Sequence, residues 1–185
     1  MIRGPARLVA LSALMLFVEL VLIRWPAERN IYLRYFTNLV LLASFLGVGI
    51  GFIRGRGRRD GFAVAPAALA LLAVFVVLFP VQQGRGADAP VLTGLAGTPA
   101  LPIWLSLPLL FAGVAVAMAL IAEGVARTFA GFEALRAYRL DILGSLAGIV
   151  AFSLLALVGA RPIVWVVIAC SGFAVLERPF RPQQL

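Results

Sequence analysis

The sequence predicts an all-α fold, a polytopic bundle of about six transmembrane helices. Two observations lead to this prediction. Of the 185 residues, 63% are hydrophobic and only 13% are charged, whereas soluble domains have roughly 45–50% apolar and about 25% charged residues. The apolar residues also occur in long runs, and the mean hydropathy is +1.05. A globule of this length cannot bury such an excess, so a soluble enzyme is excluded.

Six apolar runs approach the length of about 17–20 residues that a helix needs to cross a bilayer. Runs rich in Leu, Ala and Val must be helical in lipid, where an open sheet would leave backbone groups unpaired. The first run follows Arg3 and Arg7 and ends without a small-residue cleavage pattern, which indicates a retained helix rather than a signal peptide. The connections contain no Pro/Ser-rich linker, so a single domain over 1–185 is expected. The predicted spans are approximately 8–25, 37–53, 62–79, 102–122, 141–159 and 162–176.

The basic residues predict the orientation. All sixteen are arginines, against eight acids. Most lie between apolar runs, which favours contacts with lipid headgroups over nucleic acid. If the N-terminus is cytoplasmic, five arginines face outward and eleven face inward. This distribution predicts a bacterial inner-membrane protein with both termini in the cytoplasm. The inner set is Arg3, Arg7, Arg54, Arg56, Arg58, Arg59, Arg127, Arg136, Arg139, Arg178 and Arg181.

The connection 124–139 is more than a simple turn. It places Val125, Phe129, Phe132, Leu135 and Tyr138 at helical spacing, with charged residues between them. This pattern is typical of an amphipathic helix that lies in the membrane interface. We therefore expect such a helix on the cytoplasmic side.

Small residues mark one face on each of two predicted helices. Gly47 and Gly51 are four residues apart in the second helix, and Gly144 and Gly148 have the same spacing in the fifth. Such faces allow two helices in lipid to approach closely. The sequence favours packing within the chain, and oligomerisation is the alternative.

Glu19 is the acid that lies well inside a predicted span. A carboxylate at that depth is costly unless it is paired, protonated or open to a cavity. Arg24 follows five positions later and does not share its helix face. Arg34 or Asn38 is a more plausible partner. Either Glu19 fixes the bundle through an interhelical bond, which the sequence favours, or it serves a proton or cationic substrate.

Other polar residues indicate structural roles. Glu123 ends the fourth predicted helix, and Asp141 opens the fifth, where it can cap the helix near Arg139. The chain has no histidine and one cysteine, Cys170, in an apolar run. An intramolecular disulfide, a Cys/His metal site and histidine-based catalysis are thereby excluded, and no metal or cofactor is expected.

Three stretches together resemble the membrane region of bacterial membrane-bound spermidine synthase-like proteins. They are FVELVLIRW (17–25), YFTNLVLLASFLGVGIG (35–51) and YRLDILGSLAGI (138–149), about a quarter of the chain. The resemblance implies a multi-helix membrane region that family members join to a cytoplasmic aminopropyltransferase-like domain with a nucleotide-binding α/β fold. This chain has no glycine-rich strand–helix loop of that kind, so the family's catalytic residues have no positions here.

A second stretch, GFIRGRGRR (51–59), resembles the Gly/Arg-rich loop between the second and third helices of major-facilitator transporters, although Asp60 follows the basic cluster rather than preceding it. Two functions remain open. One is a membrane-anchoring or accessory module that acts with other membrane or cytoplasmic subunits and is not catalytic alone. The other is a transporter or half-transporter for a small cation or polyamine. An intramembrane enzyme is disfavoured, because the sequence shows no nucleophile–base or metal constellation.

Overall fold

The computed structural model describes residues 4–29, 37–57, 61–78 and 103–176. All regular structure in these ranges is helical. The helices are α1 (Gly4–Arg29), α2 (Thr37–Arg54), α3 (Ala65–Leu78, entered through a 3₁₀ turn at Phe62–Val64), α4 (Ile103–Phe129), α5 (Ala134–Leu157) and α6 (Pro162–Leu176).

Three of these helices are long and apolar enough to cross a membrane: Gly4–Trp25 within α1, Trp104–Phe129 within α4, and Ala134–Leu157. The sequence predicted six spans, and the other three helices are shorter. At about 1.5 Å per residue, a helix of 15 residues covers about 22 Å of a hydrocarbon core that is about 30 Å thick. Within the described residues, α2 has 18 residues and ends in a glycine turn, α3 has 14 and starts after the 3₁₀ turn, and α6 has 15 and starts at Pro162.

The predicted interfacial helix at 124–139 does not exist as a separate element. α4 continues to Phe129, and α5 already begins at Ala134. Two hydrogen bonds close a tight turn between them. The amide of Gly131 donates to the carbonyl of Thr128, and the amide of Phe132 donates to the carbonyl of Phe129. Four of the five apolar residues at helical spacing therefore belong to the ends of two bundle helices, which extend past the predicted limits of 122 and 141, and Phe132 lies in the turn between them.

The link between α5 and α6 shows how the sequence ends a helix here. Gly159 has a φ of +70°, in the left-handed region. The amide of Ala160 donates to the carbonyl of Leu155, and that of Gly159 donates to Ala156. These two bonds form a Schellman motif, for which glycine is favoured because it has no Cβ. Pro162 then opens α6, where its missing N–H costs nothing.

α1 and α4 form the centre of the bundle. α2 packs along α4, α5 packs along α1, and α3 and α6 contact α4 and α1 respectively. The interior is apolar, and α1 and α4 supply most of its fully buried side chains. Examples are Leu8, Leu11, Val114, Met118 and Ile121.

One end of the bundle collects the start of α1, the end of α2, the start of α3, the end of α4 and the start of α5. We call it the basic end, because it carries six of the described arginines, Arg7, Arg54, Arg56, Arg127, Arg136 and Arg139. At the opposite end the guanidinium of Arg24 lies 5.9 Å from the centre of the Trp165 ring. The three long apolar helices are compatible with a membrane protein.

Candidate functional site

A buried carboxylate organises the basic end. Glu123 is on α4, between one and two turns before the end of the helix, and is only 1% exposed. The sequence placed it at the end of a helix on the membrane boundary. Because α4 extends to Phe129, Glu123 is instead enclosed by its neighbours.

Three groups approach this carboxylate. Its Oε1 accepts hydrogen bonds from the amide of Gly61 at 3.1 Å and from Nη2 of Arg127 at 2.9 Å. Its Oε2 lies 3.7 Å from Nε of Arg54, an ion pair without a hydrogen bond. The carboxylate thus links the end of α2 and the segment before α3 to α4.

Arg127 extends this network to the turn after α2. Its Nη2 also donates to the carbonyl of Gly57 at 2.9 Å. The two bonds made by Nη2 hold the guanidinium between α4 and the α2 turn. Arg127 is four residues after Glu123, a spacing that places the two side chains on one helix face.

Glycines make this arrangement possible. A Cβ at Gly61 would lie 2.6 Å from Oε2 of Glu123, and one at Gly51 would lie 3.0 Å from the amide nitrogen of Glu123. Next to them, a Cβ at Gly55 would lie 2.5 Å from Cβ of Ala126. A side chain at any of these positions would push α2 or the 61–64 turn away from α4.

The second polar contact inside the bundle joins α1 to α5. The hydroxyl of Ser12 donates to Oδ1 of Asp141 at 2.5 Å. Asp141 does not cap α5, contrary to the prediction, because the helix begins at Ala134. The N-cap residue is Glu133, which makes no side-chain capping bond. Arg139 is exposed on α5.

The four glycines singled out in the sequence all lie at helix–helix contacts within the chain. A Cβ at Gly47 would meet the carbonyl oxygen of Ala115 on α4. Cβ atoms at Gly144 and Gly148 would meet the carbonyl oxygens of Val9 and Ala13 on α1. In both pairs the backbones are too close for any side chain between them.

The polar group proposed around Glu19 is not assembled by the described residues. Glu19 is buried on α1, 9% exposed, and the structure gives its carboxylate no hydrogen bond or ion pair with another described residue. The guanidinium of Arg24 lies 5.9 Å from the centre of the Trp165 ring. Asn38 is exposed near the start of α2, and Arg34 lies outside the described residues.

Sequence reasoning missed Arg54, Arg127, Gly61 and Ser12 as members of these clusters. The i,i+4 spacing of Glu123 and Arg127 was a usable signal for one ion pair. The other members are more than 60 residues from their partners in sequence, and no local pattern identifies them.

Cavities among the described helices include one at the basic end and one between the helices. One, of about 360 Å³, opens at the basic end and has Arg7 and Arg127 in its wall. The other, of about 150 Å³, lies between α1, α3 and α6 and is lined by apolar residues such as Val18, Leu69 and Phe173. The described residues hold no group of three His, Cys, Asp or Glu side chains that could bind a metal ion.

Comparisons with family models, with curated proteins and with solved structures gave no match for this chain.

Proposed function

We propose that the chain is an integral membrane module of the anchoring or accessory type, which acts with partner proteins and is not catalytic alone. One observation carries the proposal. The polar side chains bonded inside the described part of the bundle, above all Glu123, join helices and turns to one another. A side chain with this role stabilises a scaffold.

The outer surface supports the same role. Large apolar side chains are exposed along α5 and α6. Examples are Leu146, Leu154 and Val167, which are 53%, 57% and 58% exposed. Such surfaces suit contact with lipid tails or with another membrane protein. By the positive-inside rule, the arginines of the basic end favour a cytoplasmic position for this end in a bacterial inner membrane. The resemblance to spermidine synthase-like membrane regions favours a cytoplasmic synthase-like protein among the partners.

The test is whether another protein depends on this chain for its place in the cell. Crosslinking of the tagged full chain in cells, followed by mass spectrometry, would name candidate partners. Deletion of the chain should then move such a partner from the membrane fraction to the soluble fraction, and re-expression should restore it. Unchanged fractionation of every crosslinked protein would reject the accessory role.

A second candidate, transport of a small cation or polyamine, is favoured by Glu19. Its carboxylate is buried within a long apolar helix and pairs with no other described residue, and acids in such positions are often functional. If the chain is a transporter, proteoliposomes should take up spermidine or putrescine, and Glu19→Gln should abolish the uptake in a folded protein. Glu133→Gln, at an exposed acid, is the control.

The anchoring proposal predicts the opposite result. Proteoliposomes that contain the chain should show no more polyamine uptake than empty ones, and Glu19→Gln should fold with little change, because glutamine preserves most of the shape and hydrogen-bonding capacity of glutamate. Saturable uptake that is lost in Glu19→Gln alone would replace the anchoring proposal by the transporter.

A further inference from the structure

The cavity at the basic end has the size of a small-molecule site. Its volume is about 360 Å³, and ligand pockets typically have about 300–1,000 Å³. Its wall combines the first turn of α1, the 3₁₀ turn before α3, the last turns of α4 and the turn before α5. The cavity is open on one side, at the end of the bundle where the described arginines concentrate.

The charged side chains in the described wall of this cavity are basic. Arg7 from α1 and Arg127 from α4 contribute to its wall, and none of its described lining residues is acidic. Glu123 is close by on α4, and its carboxylate is engaged by Gly61, Arg127 and Arg54. The described wall of the cavity thus contributes two arginines and no acid.

The position of one guanidinium is fixed before any ligand arrives. Nη2 of Arg127 is bound to the carbonyl of Gly57 and to Glu123, while its Nε donates to no acceptor in the described part of the chain. An arginine held in this way loses less conformational entropy when it binds an anion.

The remaining described wall is formed by two aromatic side chains, one threonine and three glycines. They are Phe62, Phe132, Thr128, Gly4, Gly124 and Gly131. The guanidinium of Arg136 lies 5.9 Å from the centre of the Phe132 ring, which brings a third positive charge near the cavity. An apolar wall next to arginines at the membrane boundary suits a ligand with an anionic group and a less polar body.

We propose that this cavity binds a phosphate-bearing anion between Arg7 and Arg127. The arginine fork matches the geometry of phosphate oxygens, and basic pockets between transmembrane helices on the cytoplasmic side bind anionic lipid headgroups. The phosphate can come from the headgroup of an anionic phospholipid or from a soluble phosphate ester. This site does not depend on the anchoring or transport role of the chain.

Native mass spectrometry of the full chain in detergent distinguishes the two sources. Phosphatidylglycerol and phosphatidylcholine are titrated in one arm, and glycerol phosphate and inorganic phosphate in the other. We expect Arg7→Gln to weaken binding of the phosphate ligand about tenfold, the loss expected for one charge-assisted hydrogen bond. Arg56→Gln is the matched control, because Arg56 is an exposed arginine at the same end that does not line the cavity.

A second variant covers the case in which Arg7→Gln does not fold. A Cβ at Gly131 would meet only the carbonyl oxygen of Thr128, at an ordinary 3.4 Å, so Gly131→Glu can place a carboxylate at the cavity without displacing the helices. It should also weaken binding about tenfold or more by charge repulsion.

If the protein binds phosphatidylglycerol selectively and the cavity variants lose this binding, the site is assigned to a lipid. If the protein binds glycerol phosphate or inorganic phosphate and the cavity variants lose that binding, the site is assigned to a soluble ligand. Equal losses in Arg56→Gln and the cavity variants, or no binding in either arm, would overturn the proposal.

Discussion

Glu123 is the side chain on which most contacts at the basic end converge. The acid is almost fully buried, and its oxygens face one amide and two guanidinium groups that come from three parts of the chain. Removing its charge would deprive a buried network of its charge-assisted hydrogen bonds, which costs more than losing a pair between two exposed side chains. Glu123 is therefore the residue at which a small chemical change should have the largest structural effect.

We predict that Glu123→Gln lowers the free energy of unfolding by about 1.5–3 kcal/mol, the usual contribution of a hydrogen bond to a charged group, because the two arginines that lose the counter-charge stay 58% and 26% exposed. Unfolding in a detergent with increasing denaturant, followed by circular dichroism, measures this change. Glu133→Gln removes an exposed acid that makes no capping bond and should change the stability by less than about 0.5 kcal/mol. Similar losses in the two variants would show that the Glu123 network does not stabilise the bundle.

At the scale of elements, two helix pairs are held by backbone contact. α2 meets α4 at Gly47 and Gly51, and α5 meets α1 at Gly144 and Gly148. Within lipid, helices gain little from hiding apolar surface, so close van der Waals packing of small residues contributes much of their association. The paired elements thus depend on the absence of side chains at four positions.

Leucine at these positions should separate the helices. We predict that Gly148→Leu and Gly47→Leu each cause strong loss of stability or of folded yield, because the new side chain would overlap a backbone carbonyl on the facing helix. Size-exclusion chromatography and thermal unfolding in detergent measure both effects.

Gly49→Leu is the matched control for these variants. Gly49 lies on α2 between the two contact glycines, and a Cβ there meets nothing within 4 Å. Gly159→Leu would be unsuitable as a control, because a φ of +70° strains any side chain at this position even though the space is open. Equal tolerance at Gly47, Gly148 and Gly49 would refute the role of backbone contact.

At the scale of the whole molecule, the distribution of charge gives the bundle two different ends. Arg7, Arg54, Arg56, Arg127, Arg136 and Arg139 share the basic end, while Arg24 and Arg161 are at the other end among the described side chains. Because cytoplasmic loops carry an excess of Lys and Arg, we propose that the basic end faces the cytoplasm in a bacterial inner membrane.

Cysteine labelling tests that orientation. In a Cys170→Ser background, Val158→Cys, at a position that is 83% exposed in the turn after α5, should react with a membrane-impermeant maleimide in intact cells. A cysteine placed between residues 84 and 98 should behave in the same way. Arg56→Cys, in the exposed turn after α2, should react only after the cells are permeabilised. The reverse pattern would invert the proposed topology.

The sequence by itself determined that the chain is helical and apolar, and it located the helices to within a few residues at most ends. The reason is local: a run of Leu, Ala and Val fixes helix formation and hydropathy without reference to the rest of the chain. It also identified the glycine faces, because a four-residue spacing is a local pattern. It overestimated the number of long spans, since helix ends depend on turns such as the 3₁₀ turn at Phe62–Val64.

Only the tertiary structure decided what the polar residues do. It buried Glu123 against Gly61 and Arg54, joined Asp141 to Ser12, and brought Arg24 to within 5.9 Å of the Trp165 ring centre. It also brought Arg7 and Arg127 to one cavity, although 120 residues separate them in sequence. A polar side chain takes its role from whichever partner the fold brings within about 3 Å, and that partner is set by the packing of helices distant in sequence.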